Sequence, residues 1–252
     1  MDRLCDKFKL KKANIGYVVA GYPSLEYTAN LLESLDDSCL DVLELGLPYS
    51  DPLADGEVIA KASFSAQRAG INADKVFDML DGLSKKPNAA LVFLVYYNII
   101  YAYGMDKFIA RAAKAGISGL IVPDLPFEEA SELKLACEGA DMALVPLISV
   151  TSGDRVQMLK GYDRGFVYLV GAIGVSGSKR ASKERLKAMR ESIAEVSNLP
   201  VAVGFGVRDS TGVAEVHSYA NGAIIGTAIV QASQSMKEGE LIAHINGLFG
   251  RV

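Results

Sequence analysis

The sequence predicts an α/β fold: a (β/α)8, or TIM, barrel with extra helices, in a single domain spanning residues 1–252. Three observations support this prediction. The chain has 252 residues, half of them hydrophobic, which is within the range of one such barrel. Eight short apolar runs alternate with longer stretches of helical spacing. Few of these runs alternate apolar with polar residues, which is typical of parallel strands buried on both faces.

The eight apolar runs each have about the length of one strand. An open, doubly wound sheet is the alternative, but no G-x-G-x-x-G motif follows the first run, and a count of eight favours a closed ring. In chain order, the predicted strands are Ile15–Ala20, Val42–Gly46, Ala90–Tyr96, Gly119–Pro123, Ala143–Ile148, Phe166–Val170, Pro200–Gly204 and Ala223–Ile225.

The stretches between the strands have the spacing of amphipathic helices. In the first stretch, Leu31, Leu32 and Leu35 share one face. The apolar run that ends at Tyr103 is interrupted by Asn98 and is too short for a membrane span, so it predicts a buried strand followed by a loop. The predicted helices are Leu25–Leu35, Val58–Ala69, Asp74–Leu83, Met105–Ala115, Ser182–Val196, Ser210–Tyr219 and Glu240–Phe249.

Composition and charge narrow the classes of function. The formal net charge is −4, and the densest cationic run, within residues 7–12, is short, which argues against nucleic acid as a partner. Cys5, Cys39 and Cys137 are odd in number and have no C-x-x-C spacing, so we expect reduced thiols and a cytoplasmic protein. The N-terminus has no apolar signal core after its basic residues.

One carboxylate falls within a predicted strand. In the second strand, alternation places Glu44 on one face and Leu43 and Leu45 on the other. If the leucines face the helices, Glu44 points into the barrel, where an unpaired carboxylate is costly and its pKa rises toward neutrality. A glutamate of this kind suits proton transfer. The residues alone leave open a structural glutamate that is paired with a neighbour.

Two further carboxylates follow that strand. The loop from Pro48 to Gly56 contains two prolines and predicts an ordered segment that carries Asp51 and Asp55 over the carboxyl ends of the strands, where barrel enzymes have their active sites. Either residue could instead cap the loop itself. None of the predicted strands contains Lys or His, which argues against a Schiff-base aldolase and against a His-ligated metal.

Glycine-containing loops near the end of the chain predict a phosphate site. Gly204, Phe205 and Gly206 follow the seventh strand, and Gly226 with Thr227 lies between the eighth strand and a helix. Backbone N–H groups at such a place bind phosphate in this fold, although each loop alone could be a structural turn. The loop at 171–178 predicts a lid, or an ordinary flexible loop.

Several of these segments resemble one known family. The run Glu44–Gly56 (ELGLPYSDPLADG) closely resembles the signature of the tryptophan synthase alpha chain family. Shorter blocks resemble that family in the same order: YYN at 96–98, VPDLP at 122–126, GVSG at 174–177 and GFGV at 204–207. The resemblance spans nearly the whole chain.

The resemblance implies a barrel that cleaves indole-3-glycerol phosphate to indole and glyceraldehyde 3-phosphate. It implies no cofactor or metal in this chain, and a beta-chain partner that holds pyridoxal phosphate in an α2β2 complex. Glu44 is implied to be the general acid and base, and Asp55 the carboxylate at the indole N–H. The other implied residues are Tyr17, Ile59, Tyr96 and Tyr168 for substrate binding, Gly177, Phe205, Gly206, Gly226 and Thr227 for phosphate, and Asp51, Pro52, Ile99 and Tyr103 facing the partner.

Two alternative functions stay open at this point. A phosphate-sugar isomerase or epimerase on the same barrel would share the phosphate glycines, and the chain could also serve mainly as an activating subunit of the beta chain. Some positions depart from the family's common pattern: Ile99 stands where Pro is usual, Thr227 where Ser is common, and residues 170–173 lack the hydroxyl groups that many members have.

Overall fold

A computed structural model describes residues 2–173, 179–204 and 206–251. Its centre is a sheet of nine parallel segments, formed by strands that occupy seven of the predicted positions and by two parts of an eighth. The segments are β1 (Ala13–Val19), β2 (Val42–Gly46), β3 (Ala90–Leu94), β4 (Ile117–Ile121), β5 (Ala143–Leu144), β6 (Leu147–Ser149), β7 (Val167–Val170), β10 (Val201–Gly204) and β11 (Gly222–Ile225). Two short strands outside the sheet, β8 (Ala172–Ile173) and β9 (Lys179–Arg180), pair antiparallel.

The sheet order is β5-β4-β3-β2-β1-β11-β10-β7-β6, and its two ends meet. β5 pairs with β4, β6 pairs with β7, and only Val145 and Pro146 separate β5 from β6. The Val145 N–H donates to the Leu120 carbonyl at 2.8 Å, and the Pro146 carbonyl accepts from the Tyr168 N–H at 2.9 Å. The ring of strands therefore closes through one segment, which confirms the predicted barrel. The predicted fifth strand is divided because Pro146 has no N–H to donate.

The helices surround this ring. They are α1 (Arg3–Asp6), α2 (Leu25–Glu33), α3 (Glu57–Arg68), α4 (Ala73–Asp81), α5 (Tyr97–Tyr103), α6 (Met105–Ala115), α7 (Ser131–Gly139), α8 (Lys183–Val196), α9 (Ser210–His217), α10 (Thr227–Ser233) and α11 (Glu238–Leu248). The seven predicted helices are present with ends shifted by a few residues. Short 3-10 helices lie at Leu35–Asp37, Phe127–Glu129 and Gly153–Gly161. None of the helices in the described part of the chain is long and apolar enough to cross a membrane.

One predicted segment was wrong. The third strand ends at Leu94, and the chain then forms α5 where we expected a loop. The residues of α5 are mainly aromatic and β-branched, which favour strands by themselves. Tertiary contacts decide otherwise, because Ile100 is fully buried and both carboxylate oxygens of Asp124 accept a hydrogen bond from the Tyr97 N–H. α7 was also not anticipated.

The hydrophobic core has two layers. Side chains such as Ile15, Val42 and Val92 fill the barrel, whereas Leu43 and Leu45 pack against the helices outside it. Helix α1 closes the amino end of the barrel: the Phe8 ring, just after it, lies 5.3 Å from the Phe166 ring at the start of β7. We therefore expect a functional site at the carboxyl end of the ring, which α1 does not cover.

Candidate active site

Glu44 lies inside the barrel, two residues before the end of β2. Alternation along β2 produces this orientation, with neighbours Leu43 and Leu45 turned outward. Glu44 is 1% exposed, and among the described residues its Oε1 atom has no hydrogen-bond partner. Burial raises the pKa of its carboxyl group to about 8. At neutral pH this group is thus mainly protonated. It can give its proton, and the carboxylate that remains can receive one.

Two buried tyrosines accompany Glu44. Tyr17 is the register partner of Glu44 on β1, and its hydroxyl lies against Gly46; a Cβ there would be 2.1 Å from that oxygen. Tyr168 on β7 lies in the same way over Gly204, at 2.2 Å. Burial raises the pKa of both tyrosines, and the charges of Glu44 and Asp55 raise them further. The charges of both carboxyl groups therefore act on both hydroxyls, across the space that the two tyrosines border.

Asp55 reaches this space from the loop after β2. Its Oδ2 accepts a hydrogen bond from the Tyr96 hydroxyl at 3.1 Å, and the Tyr96 oxygen accepts one from the Ala54 N–H at 3.0 Å. Burial raises the pKa of Asp55 to about 6, and the Tyr96 hydrogen bond opposes this rise. The loop is tied to α3 because the Ser63 hydroxyl accepts from the Tyr49 N–H at 2.9 Å and donates to its carbonyl.

The residues expected to bind phosphate are only partly within the described chain. A Cβ at Gly226 would lie 3.4 Å from Tyr17 and 3.7 Å from Ile59, so these three positions meet beside Glu44. Thr227 begins α10 and is exposed. Gly206 is exposed, with a φ of 88° that favours glycine. Gly177 and Phe205 lie outside the described residues.

The residues expected to face a partner differ in exposure. Asp51 is exposed, whereas Pro52 and Ile99 are half-buried. Tyr103 packs its ring against Phe77 and Phe108, and its hydroxyl donates to Asp74 at 2.7 Å.

Two large side chains at the barrel mouth were not named individually from the sequence, although Tyr101 lies within the Ile99–Tyr103 stretch that the resemblance assigns to the partner. Leu53 is 72% exposed and Tyr101 is 74% exposed, on the loop after β2 and on α5. The available signal was a large apolar side chain in each of two segments that follow strands. Large exposed apolar groups of this kind mark contact surfaces.

A cavity of about 390 Å³ lies over the carboxyl end of β4 and the segment that joins β5 to β6. Neither Glu44 nor Asp55 lines it. The lining residues are Val122, Pro123, Asp124, Leu125, Pro126, Phe127, Ala130, Leu144, Val145, Pro146, Leu147, Ser152, Arg155 and Tyr162. Within the described ranges, no group of three His, Cys, Asp or Glu side chains could hold a metal ion.

The fold and the site together define a class: a (β/α)8-barrel enzyme with buried carboxyl groups, of a kind suited to acid–base chemistry, at the carboxyl ends of its strands. The family model described as "Tryptophan synthase alpha chain" matches residues 5–246. The chain belongs to the tryptophan synthase alpha chain family.

Individual relatives agree with this family. The chain is 42% identical over 236 residues to the tryptophan synthase alpha chain of Campylobacter jejuni, which covers 93% of each chain. Among solved structures, it is similar to tryptophan synthase subunit alpha from Campylobacter jejuni, with a TM-score of 0.88, 40% identity and coverage of 96% and 98%. A chain of Mycobacterium tuberculosis tryptophan synthase gives a TM-score of 0.82 at 32% identity, covering 97% and 95%.

Proposed function

We propose that this chain cleaves indole-3-glycerol phosphate to indole and glyceraldehyde 3-phosphate, the lyase reaction of its family, with Glu44 and Asp55 as the catalytic residues. The observation that carries the assignment is the buried Glu44 carboxyl group, whose Oε1 atom has no hydrogen-bond partner in the described chain and whose charge, like that of Asp55, acts on Tyr17 and Tyr168. Family membership favours this reaction over the isomerase or epimerase alternative.

The two carboxyl groups suit two different roles because their environments separate their pKa values. Glu44, with a pKa of about 8, holds a proton at pH 7 and can deliver it to indole C3. The resulting carboxylate then takes the proton of the glycerol hydroxyl as the carbon–carbon bond breaks and the bonding electrons return to the indole ring. Glu44 is thereby regenerated as an acid.

Asp55 supplies a negative charge opposite the positive charge that develops on the indole ring. With a pKa of about 6, it is mainly ionised at pH 7. Protonation of C3 leaves a positively charged ring that has its N–H as the exposed donor, and a carboxylate placed there stabilises the charge. Such a preorganised group contributes roughly 3 kcal/mol to a transition state.

Binding would use the walls and the rim of the barrel mouth. Tyr17, Tyr96, Tyr168 and Ile59 would hold the flat indole ring. The backbone amides of Gly177, Phe205, Gly206, Gly226 and Thr227 would hold the phosphate, with glycine allowing its close approach.

The family works with a beta chain, which is the chain that holds pyridoxal phosphate. We propose that the beta chain docks on the surface that contains Asp51, Pro52, Ile99 and Tyr103, in an α2β2 complex in the cytoplasm. The exposure of Leu53 and Tyr101 beside these residues supports the proposal.

Substitution of the two carboxyl groups tests the reaction. Glu44→Gln should lower indole release from indole-3-glycerol phosphate by at least roughly 100-fold, since it removes the proton carrier, and Asp55→Asn by a comparable factor. Glu191→Gln, on an exposed carboxyl group of α8, is the matched control and should keep full turnover. Full turnover by Glu44→Gln would disprove the assigned role.

The same assay, with and without the beta chain, separates an enzyme from an activating subunit. Indole release by the chain alone, or only with its partner, supports catalysis here. No release in either state would favour a purely activating role.

A further inference from the structure

The hydroxyl of Tyr96 makes contacts that lining a pocket would not require. It is 2% exposed and lies where β3 gives way to α5. Its hydroxyl makes two hydrogen bonds to one loop, donating to the Asp55 side chain and accepting from the Ala54 N–H. A single side chain thus fixes both the carboxylate and the backbone that carries it.

Tyr96 is itself held from two sides. Its ring stacks on Tyr49 with centroids 4.9 Å apart and planes 23° from parallel. The backbone next to it is also held: the N–H of Tyr97 donates to both carboxylate oxygens of Asp124, at 2.9 and 3.1 Å. Asp124 belongs to the turn after β4, so it ties the end of β3 to the neighbouring strand.

We propose that Tyr96 is the positioning residue for Asp55, and that Asp124 sets Tyr96 in place through the Tyr97 amide. Tyr96 then acts on the reaction by orienting a carboxylate and the loop at the barrel mouth. This inference rests on the proposed function only for its catalytic consequence, since the contacts themselves involve no substrate.

The surroundings of Asp55 give the proposal a measurable signature. The titratable groups coupled to its charge are Tyr17 from β1, Tyr168 from β7 and Tyr96 from the end of β3, and Glu44 on β2 acts on the same Tyr17 and Tyr168. Among the described residues, only Tyr96 donates a hydrogen bond to the Asp55 side chain. A hydrogen bond to an ionised carboxylate favours the charged form, so its loss should raise the pKa of Asp55 by about one unit.

The test is a pH titration of the purified full chain, labelled with ¹³C in its Asp carboxyl groups and followed by NMR. Asp55→Asn assigns the Asp55 signal by its disappearance. Tyr96→Phe keeps the stacked ring and should raise the pKa of Asp55 and speed hydrogen exchange of the Ala54 amide. Tyr27→Phe removes a hydroxyl that donates to the Met236 carbonyl on the barrel's outside, and should change neither.

Asp124 provides a second, independent variant. Asp124→Ala leaves the Tyr97 N–H without its acceptor and should raise the pKa of Asp55 in the same direction, whereas Asp124→Asn keeps one acceptor oxygen and should restore the wild-type titration. The variant is on an exposed turn, so it tests the proposal even if Tyr96→Phe does not fold.

The outcomes separate this proposal from the proposed function. An unchanged Asp55 titration and Ala54 exchange in Tyr96→Phe, or in Asp124→Ala, would overturn the positioning role whatever the activity. A shifted titration in the variants, together with no indole release by the wild-type chain with or without the beta chain, would uphold positioning and reject the lyase assignment. Shifted titrations together with an acidic limb of the activity profile moved to higher pH would support both.

Discussion

At the scale of single residues, Glu44 shows how a strand can hold an acid at neutral pH. The cost of burial falls on the charged form of the carboxyl group, so the proton stays bound and the pKa rises. The pKa of Asp55 rises less because Asp55 is less completely buried and because the Tyr96 hydroxyl donates a hydrogen bond to it. Position in the barrel, and not residue type, therefore gives the two carboxyl groups their different charges.

The raised pKa of Glu44 predicts how stability depends on pH. Between pH 4.5, its ordinary pKa, and about 8, the folded chain retains a proton that the unfolded chain releases. The free energy of unfolding should therefore fall as pH rises through this window. Glu44→Gln cannot titrate, so its stability should fall less and should exceed that of the wild type at pH 8. Denaturant unfolding at pH 5, 6, 7 and 8 measures this, and parallel curves for the two proteins would contradict it.

Gly46 is a second residue whose identity the site requires. A Cβ at this position would lie 2.1 Å from the Tyr17 hydroxyl and 2.7 Å from the carbon that bears it. Gly46→Ala should therefore destabilise the protein by about 1–3 kcal/mol, because Tyr17 is buried and has to move.

The control for Gly46→Ala is Gly239→Ala. Gly239 lies in α11 with nothing within 4 Å of its Cβ position, so alanine there should raise stability slightly. Tyr17→Phe combined with Gly46→Ala should recover only part of the loss, since the ring carbon remains close. Thermal melts of the wild type, the two single variants and the double variant measure this. An unchanged melting temperature in Gly46→Ala would contradict the contact.

At the scale of elements, the sequence predicted what depends on local pattern and missed what depends on distant contacts. Alternation along β2 was enough to orient Glu44 inward. The helix α5 was missed because its residues favour strands, while the Asp124 carboxylate that caps it follows another strand. The Tyr96–Asp55 hydrogen bond was likewise unpredictable, because it depends on a loop shape that Ser63 fixes from α3.

Helix α1 gives a prediction about a single link between elements. One oxygen of Asp2 caps this helix, accepting from the Leu4 and Cys5 amides, and the other accepts from the Gly165 N–H at 2.7 Å, just before β7. Asp2→Ala should lower the free energy of unfolding by about 1–3 kcal/mol, since the helix cap and the hydrogen bond from Gly165 are both lost.

Asp2→Asn separates the two contributions. Its carbonyl oxygen still caps α1, but its NH2 group cannot accept from Gly165, so the loss should be smaller. Unfolding free energies in denaturant measure both variants. Equal stability of the alanine and asparagine variants would show that only the link to Gly165 matters.

At the scale of the whole molecule, we propose that residues 1–252 form one cooperative domain. The closed ring of strands joins the first and last parts of the chain, because β1 pairs with β11. We expect a single calorimetric transition whose calorimetric and van't Hoff enthalpies agree. Two resolved transitions, or a stable fragment after limited proteolysis, would contradict one domain.

The divided fifth strand has a consequence for the shape of the barrel mouth. β5 pairs with β4 and β6 pairs with β7, so the pairing changes sides at Val145 and Pro146. The 390 Å³ cavity lies beside this change, and residues that follow β4 and β6 form most of its wall. On the side of Glu44, by contrast, β2 is bonded to both neighbours along its whole length. The two sides of the barrel mouth therefore differ in how they are held: we expect a partner that binds the rim to shift the loop-built side more readily than β2, the strand that carries Glu44.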